Sequence, residues 1–262
     1  MSEWRFIDSG PCSASFNMAL DEAVSLSVRK GSSPPALRLY GWEEPCVSIG
    51  LFQRTSDIDL DYCIEKNLPV VRRPTGGRAI LHGDELTYSF SSRNEGFFSG
   101  GLRDTYRQLG SALKSALVML GIDISINSER LEGKTLARSP LCFKSTSYGE
   151  LSCGGRKLVG SAQKRWKDGF LQQGSLPYVI DEETTRKIFS LPFSSEVKDG
   201  MIGLREAVSD FDQEKLKNAI RASFESAFNV NLLCSDLSPE EYHLARVLEE
   251  QKYLSQEYTL QR

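Results

Sequence analysis

The chain is poor in the residues that build metal centres. It has two histidines, His82 and His243, and six cysteines with no Cys-x-x-Cys pair among 262 residues. That scatter speaks against a structural zinc site, which draws its ligands from closely spaced pairs. No run approaches the ~20 apolar residues needed to cross a bilayer. Met1-Ser2-Glu3-Trp4-Arg5 also lacks the charged-then-apolar start of a secretory leader. A cytoplasmic protein with reduced thiols is the expectation, with no membrane partner. A basic excess is missing too: the formal net charge of −3 argues against a nucleic-acid surface. What remains is 40% hydrophobic and 26% charged, an ordinary globular balance. The length suits one domain, 1–262, around one core.

Periodicity then divides the chain. Met18, Ala19, Ala23, Val24 and Leu26 share a helical face over Asn17–Val28, with Ser15 or Asn17 as candidate caps. Short β-like runs at Ala36–Tyr40, Cys46–Ile49, Val70–Arg73, Arg78–His82 and Thr87–Ser89 read as strands of one sheet. Tyr106, Leu109, Leu113, Leu117 and Leu120 mark a second helix stopped by Gly121, after which Ile122, Ile124 and Ile126 alternate like a strand. Glu129–Thr146 reads as a long polar loop. Tyr148–Leu151 and Lys157–Ala162 flank a hairpin turn at Gly154-Gly155, and Gly169–Leu176 reads as a further strand. From about 209 the pattern is helical, through Leu216, Ile220, Phe224 and Phe228 and a last segment opened by Pro239. Strands followed by helices make the chain α+β.

Two segments concentrate chemistry. In Arg72-Arg73-Pro74-Thr75-Gly76-Gly77-Arg78-Ala79-Ile80-Leu81-His82, a sharp β-turn-β is flanked by guanidinium groups that suit an anionic or carbonyl group. Pro-Thr-Gly-Gly is equally an ordinary hairpin turn, so both readings stand on these residues alone. His82 reads first as a strand-end histidine satisfied by backbone. Asp21 and Glu22 read as a solvated or capping face, with one carboxylate available to anchor Arg72 or Arg73. The second segment pairs Cys142, in the polar loop, with Lys157 on the next hairpin. A nearby ammonium raises the thiolate fraction of a cysteine, as nucleophilic catalysis requires. Gly160, Ser161 and Ala162 are small enough to let a thin substrate pass close to the backbone. Cys153, at the hairpin tip, reads as an exposed turn residue, and His243 as a helix-surface one. Arg130, Lys134, Arg138 and Lys144 are placed to steer an acidic partner toward Cys142.

Arg72-Arg73-Pro74-Thr75-Gly76-Gly77 with His82, followed by Gly155-Arg156-Lys157-Leu158-Val159-Gly160-Ser161-Ala162-Gln163, resembles the biotin/lipoyl protein ligase family. Arg78 after the two glycines and Cys142-Phe143 ahead of Tyr148–Leu151 resemble its octanoyltransferases of Gram-positive bacteria. The resemblance implies a mixed, largely antiparallel central sheet flanked by helices. It implies octanoyl transfer from acyl carrier protein, through a thioester on Cys142, to a lysine of a lipoyl domain such as the glycine cleavage H protein. Lys157 would lower the Cys142 pKa and hold the acyl carbonyl. Arg72, Arg73, Thr75, Gly76, Gly77, Arg78, His82, Gly160, Ser161 and Ala162 would bind substrate, with the acyl tail in an apolar tunnel. No cofactor is implied and no metal. ATP and magnesium enter only under the rival reading of a lipoate ligase, and a third reading passes lipoyl or octanoyl groups between carrier domains.

Overall fold

Strict alternation in two central strands sets the architecture. In β2 (Ala36–Trp42), Leu37 and Leu39 enter the largest apolar cluster, whereas Tyr40 and Trp42 enter a second one on the opposite face. In β6 (Glu85–Arg93), Leu86, Tyr88 and Phe90 repeat the first choice, and Glu85, Thr87 and Ser89 the second. A strand that is buried on both faces needs a cover on each. The computed structural model, which describes residues 1–126, 150–191 and 197–261, supplies both.

The described strands form two sheets. The larger runs β11 (Val230–Cys234), β1 (Ser2–Cys12), β2, β6, β10 (Gly169–Pro177), β9 (Arg156–Arg165), β8 (Leu151–Cys153) and β7 (Ser125–Ile126). β11 and β2 pair with β1 in parallel, and the remaining pairings of this sheet are antiparallel. The smaller sheet places β3 (Cys46–Ile49) between β4 (Val70–Arg72) and β5 (Ile80–His82). One face of the larger sheet is covered by α3 (Leu102–Met119) and α6 (Gln213–Phe228) through Leu109, Leu113, Leu117, Ile220, Phe224 and Phe228. The other face carries α1 (Ala14–Arg29), which packs in turn on α7 (Pro239–Leu248). The mixed, largely antiparallel α+β expectation holds. Among the described residues, no helix is long and apolar enough to cross a membrane.

Several expectations need correction. The early strands fall in two sheets, not one. Segment 72–82 is no hairpin either, because β3 separates β4 from β5. Beyond β4 the chain keeps bonding to residues around the end of β3, with Arg73 N donating to Ile49 O at 3.0 Å and Leu51 N to Thr75 O at 2.9 Å. Helix α1 starts earlier than its apolar stripe, since Ser13 caps it by accepting from Phe16 N at 3.3 Å. Of the Ile122–Ile126 alternation only Ser125–Ile126 pairs as a strand; Ile122 and Ile124 are core residues in a connection. Gly121 (φ +81°) ends α3 and Gly154-Gly155 (φ +57° and +77°) turn the hairpin, both as expected. Cys142 and the basic residues Arg130, Lys134, Arg138 and Lys144 lie outside the described residues.

Candidate active site

The glycine loop after β4 is held from within. Arg72, fully buried, donates through Nη1 to the carbonyls of Gly50 (2.8 Å) and Gln53 (2.7 Å), and through Nε to Thr259 O (3.0 Å). Arg73 folds back on the loop, its Nη2 donating to the carbonyls of Gly76 (2.7 Å) and Arg78 (2.6 Å). These guanidinium groups thus serve the chain's own carbonyls, and the loop is a preset shape. Its fit is tight at one point: a Cβ on Gly50 would lie 1.9 Å from Gly77 O. That approach, and the positive φ of Gly77 (+87°), are what demand glycine here.

Thr75 reaches the centre of the molecule. Its Oγ1 donates to Gln173 Oε1 (2.7 Å), and Gln173 Nε2 donates to Asp21 Oδ2 (2.7 Å). Asp21 is fully buried, not solvated, and pairs with buried Arg38 at 2.7 Å. Tyr40 Oη and Ser89 Oγ donate to the same carboxylate at 2.8 and 2.5 Å. An isolated carboxylate there would be prohibitively costly, so its neighbours come as a set. Burial first, and then the Asp21 charge, push the Tyr40 phenol well above its usual pKa. Glu22 faces Lys252 Nζ at 2.6 Å. Neither carboxylate anchors Arg72 or Arg73.

His82 belongs to a second set. Its Nε2 lies 2.7 Å from Ser48 Oγ and its Nδ1 2.9 Å from Glu85 Oε1, while its ring stacks on Trp42 at 4.0 Å. Its partners are therefore side chains, not backbone. Trp42 Nε1 (3.1 Å) and Thr87 Oγ1 also donate to Glu85 Oε1, and Ser175 Oγ donates to Oε2 at 2.9 Å. Arg73 closes the set, donating through Nη1 to Ser48 Oγ at 3.1 Å. Cys46, directly across from His82 in the β3–β5 ladder, has its thiol pushed well up by burial and then by Glu85 and Glu44, so it stays protonated.

These two sets meet at a cavity of about 30 Å³. Arg73, Ser48, His82, Gly160, Ala162, Gln173 and Ser175 are among its lining. A volume of that size takes a water-sized body. Next to it, sharing Ile80, His82 and Ser175, lies a larger cavity of about 290 Å³ with Leu81, Val179, Ile180 and Met201 in its wall. Lys157 is buried and its Nζ sits 2.5 Å from Glu150 Oε1. A Cβ on Gly160 would come within 3.7 Å of that Nζ, which sets the ammonium beside the cavity wall.

The structure thus brings Arg73, His82, Gly160 and Ala162 to one cavity, with Lys157 beside it and Thr75 one hydrogen bond behind Gln173. Ser161 does not join them. Alternation on β9 turns it to the opposite face, where its Oγ lies 2.8 Å from Tyr88 Oη. Cys153 is no exposed turn residue but a half-buried strand end packed on the main core. Sequence reasoning missed Ser48, Glu85, Glu150 and Gln173. Only Glu85 carried a signal, its spacing of three from His82.

The chain matches the lipoyl protein ligase A/B catalytic domain over residues 13–225. It belongs to that family. It is 42% identical over 191 residues to octanoyltransferase LipM of Moorella thermoacetica, covering 72% of this chain and 70% of the relative. Over 272 residues it is 36% identical to octanoyltransferase LipM of Kyrpidia tusciae, 98% of each chain. Among solved structures, Ta0514 of T. acidophilum, described as a putative lipoate protein ligase with bound lipoic acid, superposes with a TM-score of 0.83. It is 22% identical, with 98% of this chain and 99% of that one covered. At that identity the likeness speaks for the fold alone. The relatives make this chain an enzyme of the acyltransferase class.

Proposed function

We propose that this enzyme is an octanoyltransferase of lipoate biosynthesis, working in the cytoplasm without nucleotide or metal. It takes octanoyl from acyl carrier protein onto Cys142 as a thioester and passes it to a lysine of a lipoyl carrier domain such as the glycine cleavage H protein. The observation that carries the reading is Lys157. A lysine held out of water at a hairpin, with its Nζ beside cavity-lining Gly160, has a geometry that a solvated lysine lacks. An ammonium at that wall favours a thiolate brought next to it and stabilises negative charge developing on an acyl oxygen. Glu150 keeps the buried ammonium paired until a thiolate or oxyanion arrives. Arg78, where ligases of the family resemblance carry a third glycine, supports transfer over ligation.

In the first half-reaction the Cys142 thiolate attacks the donor thioester and the carrier's thiol leaves. In the second, an amine attacks the new thioester and the Cys142 sulfur leaves, giving the amide. Each apolar methylene of the chain that is buried contributes about 0.8 kcal/mol to holding it. The test is incubation with octanoyl-acyl carrier protein in the absence of ATP, read by intact mass. A hydroxylamine-labile octanoyl adduct is expected, absent in Cys142→Ser and formed about 10²-fold more slowly in Lys157→Met. No adduct without ATP, but carrier modification with ATP and free lipoate, would make the enzyme a ligase.

A further inference from the structure

We infer that the outer half of the β9–β10 hairpin is the docking surface for the acyl donor, an acidic carrier protein whose thioester hangs on a long phosphate-bearing arm, with Lys164 taking the phosphate and Lys167 the acidic body. The inference rests on the transfer reading above and names the surface that its first substrate meets.

Strand β9 leads outward from the cavity. Gly160 and Ala162 line the cavity, and alternation puts Lys164 and Trp166 on the face of Ala162. At the ~3.3 Å rise of a strand, Lys164 lies about 7 Å beyond Ala162 and Trp166 about 13 Å beyond it. The tip that follows is tied down. Trp166 N donates to Gly169 O at 2.8 Å, and Asn94 Nδ2 donates to the carbonyls of Trp166 (2.7 Å) and Lys167 (3.1 Å). A Cβ on Gly169 would lie 2.4 Å from Ser92 O and 2.7 Å from Arg29 Cγ, so the turn is wedged against β6 and the end of α1. A surface already fixed in place gives up little freedom when a partner binds.

The charges at this tip are unevenly matched. Arg29 pairs with Asp168 (3.3 Å), Arg93 with Glu95 (3.6 Å) and Lys252 with Glu22 (2.6 Å). Lys164 and Lys167 have no ion pair among the described residues. Lys167 is exposed at the turn, but Lys164 is half-buried. Its ammonium sits 4.8 Å from the centroid of the Trp166 ring, which also carries Arg29 Cζ at 3.9 Å. Desolvation lowers its pKa below the usual lysine value; Glu22 pulls it up, and Lys252 and Arg29 push it down again. A lysine with no partner to meet ordinarily carries its ammonium into water on its flexible stem. Here the ammonium is drawn out of water beside other cations, and an arriving anion relieves both costs at once. Because the chain as a whole carries a net charge of −3, a local cationic tip also orients the approach of an acidic partner.

Distance from the cavity selects donor over acceptor. The acceptor presents its amine on one lysine side chain, which brings its body to the cavity mouth. The donor's thioester stands off its carrier by a whole pantetheine arm, so the carrier body can rest at the tip. The phosphate at the base of that arm then falls between body and cavity, as Lys164 falls between Lys167 and Ala162.

Binding is measured first, because it needs no chemistry: the enzyme is titrated with acyl carrier protein that bears its pantetheine arm but no acyl group, from about 50 to about 500 mM salt. Acyl-enzyme formation from octanoyl-acyl carrier protein, and decay of the preformed acyl-enzyme with a lipoyl domain, are then followed in single turnover against partner concentration. With Lys164→Gln and Lys167→Gln combined, the half-saturating donor concentration is expected to rise about 10-fold at low salt and its salt dependence to flatten, while the limiting rate stays within about twofold and the lipoyl-domain step does not move. Lys167→Glu, a change at the exposed turn, carries the test if the double variant fails to fold. A fall in limiting rate at an unchanged half-saturating concentration, or the same salt dependence in variant and parent, overturns the docking surface. A shift confined to the lipoyl-domain step overturns the donor as its occupant. Salt-sensitive carrier binding with no acyl-enzyme in the unsubstituted protein would overturn the transfer reading and leave the surface standing.

Discussion

The two faces of the larger sheet are both buried, yet they are made of opposite materials. Toward α3 and α6, Phe90 meets Trp4 at 5.3 Å, Phe98 at 5.3 Å and Phe224 at 5.8 Å, and the cover is mainly apolar, with Thr105 and Ser223 its buried polar exceptions. Toward α1, the same strands present Arg38, Tyr40, Glu85, Thr87, Ser89, Gln173 and Ser175, all buried and joined by hydrogen bonds. Dispersion and burial stabilise the first face at little cost in specificity. The second stabilises little, because desolvation consumes most of what pairing returns, but a fully satisfied set rigidifies its members and specifies one arrangement. The cavity lies on the second face.

That contrast can be broken at its strongest point first. Arg38→Met leaves Asp21 charged and buried, and unfolding experiments should show a loss of about 3–5 kcal/mol. Adding Asp21→Leu should restore most of the stability while turnover stays depressed, since Gln173 and Thr75 lose their anchor. Recovery of activity along with stability would mean that the polar face is only scaffolding. On the other face, Phe90→Ala should also cost about 3–5 kcal/mol in a denaturation curve, but kcat per folded molecule should be unaffected. The mildest probe is Tyr40→Phe, which deletes one bond to a buried carboxylate and should cost about 1.5–3 kcal/mol at neutral pH. Burial raises the folded-state pKa of this phenol above its unfolded value of about 10. Only the unfolded chain ionises just above that pH, so the native protein loses stability there. Tyr40→Phe escapes this loss, and the gap between the two proteins should narrow as pH rises past 10.

The same contrast governs what was readable in the sequence. Helices α1, α3 and α6 announce themselves because apolar spacing on a helix is a local signal, and Leu109, Leu113 and Leu117 meet the core as their spacing requires. Strand β1 was invisible. It contains Gly10-Pro11, and its partner Val230 is brought alongside Ser2 by the whole intervening chain. Asp21 read as solvated because a charge is exposed by default. Its burial depends on Arg38, Tyr40, Ser89 and Gln173, which no spacing rule connects. The glycine loop, His82 and Lys157 stand out in the sequence as segments. Their partners Ser48, Glu85 and Glu150 do not, because hydrogen-bond sets assembled from different strands leave no period in the sequence.

Strand β1 has a consequence for how the protein is made. It sits inside the sheet with β2 on one side and β11 on the other, its Trp4 wedged against Phe228 at 5.1 Å. On the ribosome, residues 2–12 emerge long before residues 230–234, and the edge that faces β11 stays open in the interval. At the usual rate of synthesis that interval is on the order of ten seconds or more. An unpaired edge invites other chains. The charges of Glu3 and Arg5 and the bend at Gly10-Pro11 are suited to keeping that edge solitary while the nascent chain waits for β11, after which Arg5 is taken up by Glu241 of α7 at 2.7 Å.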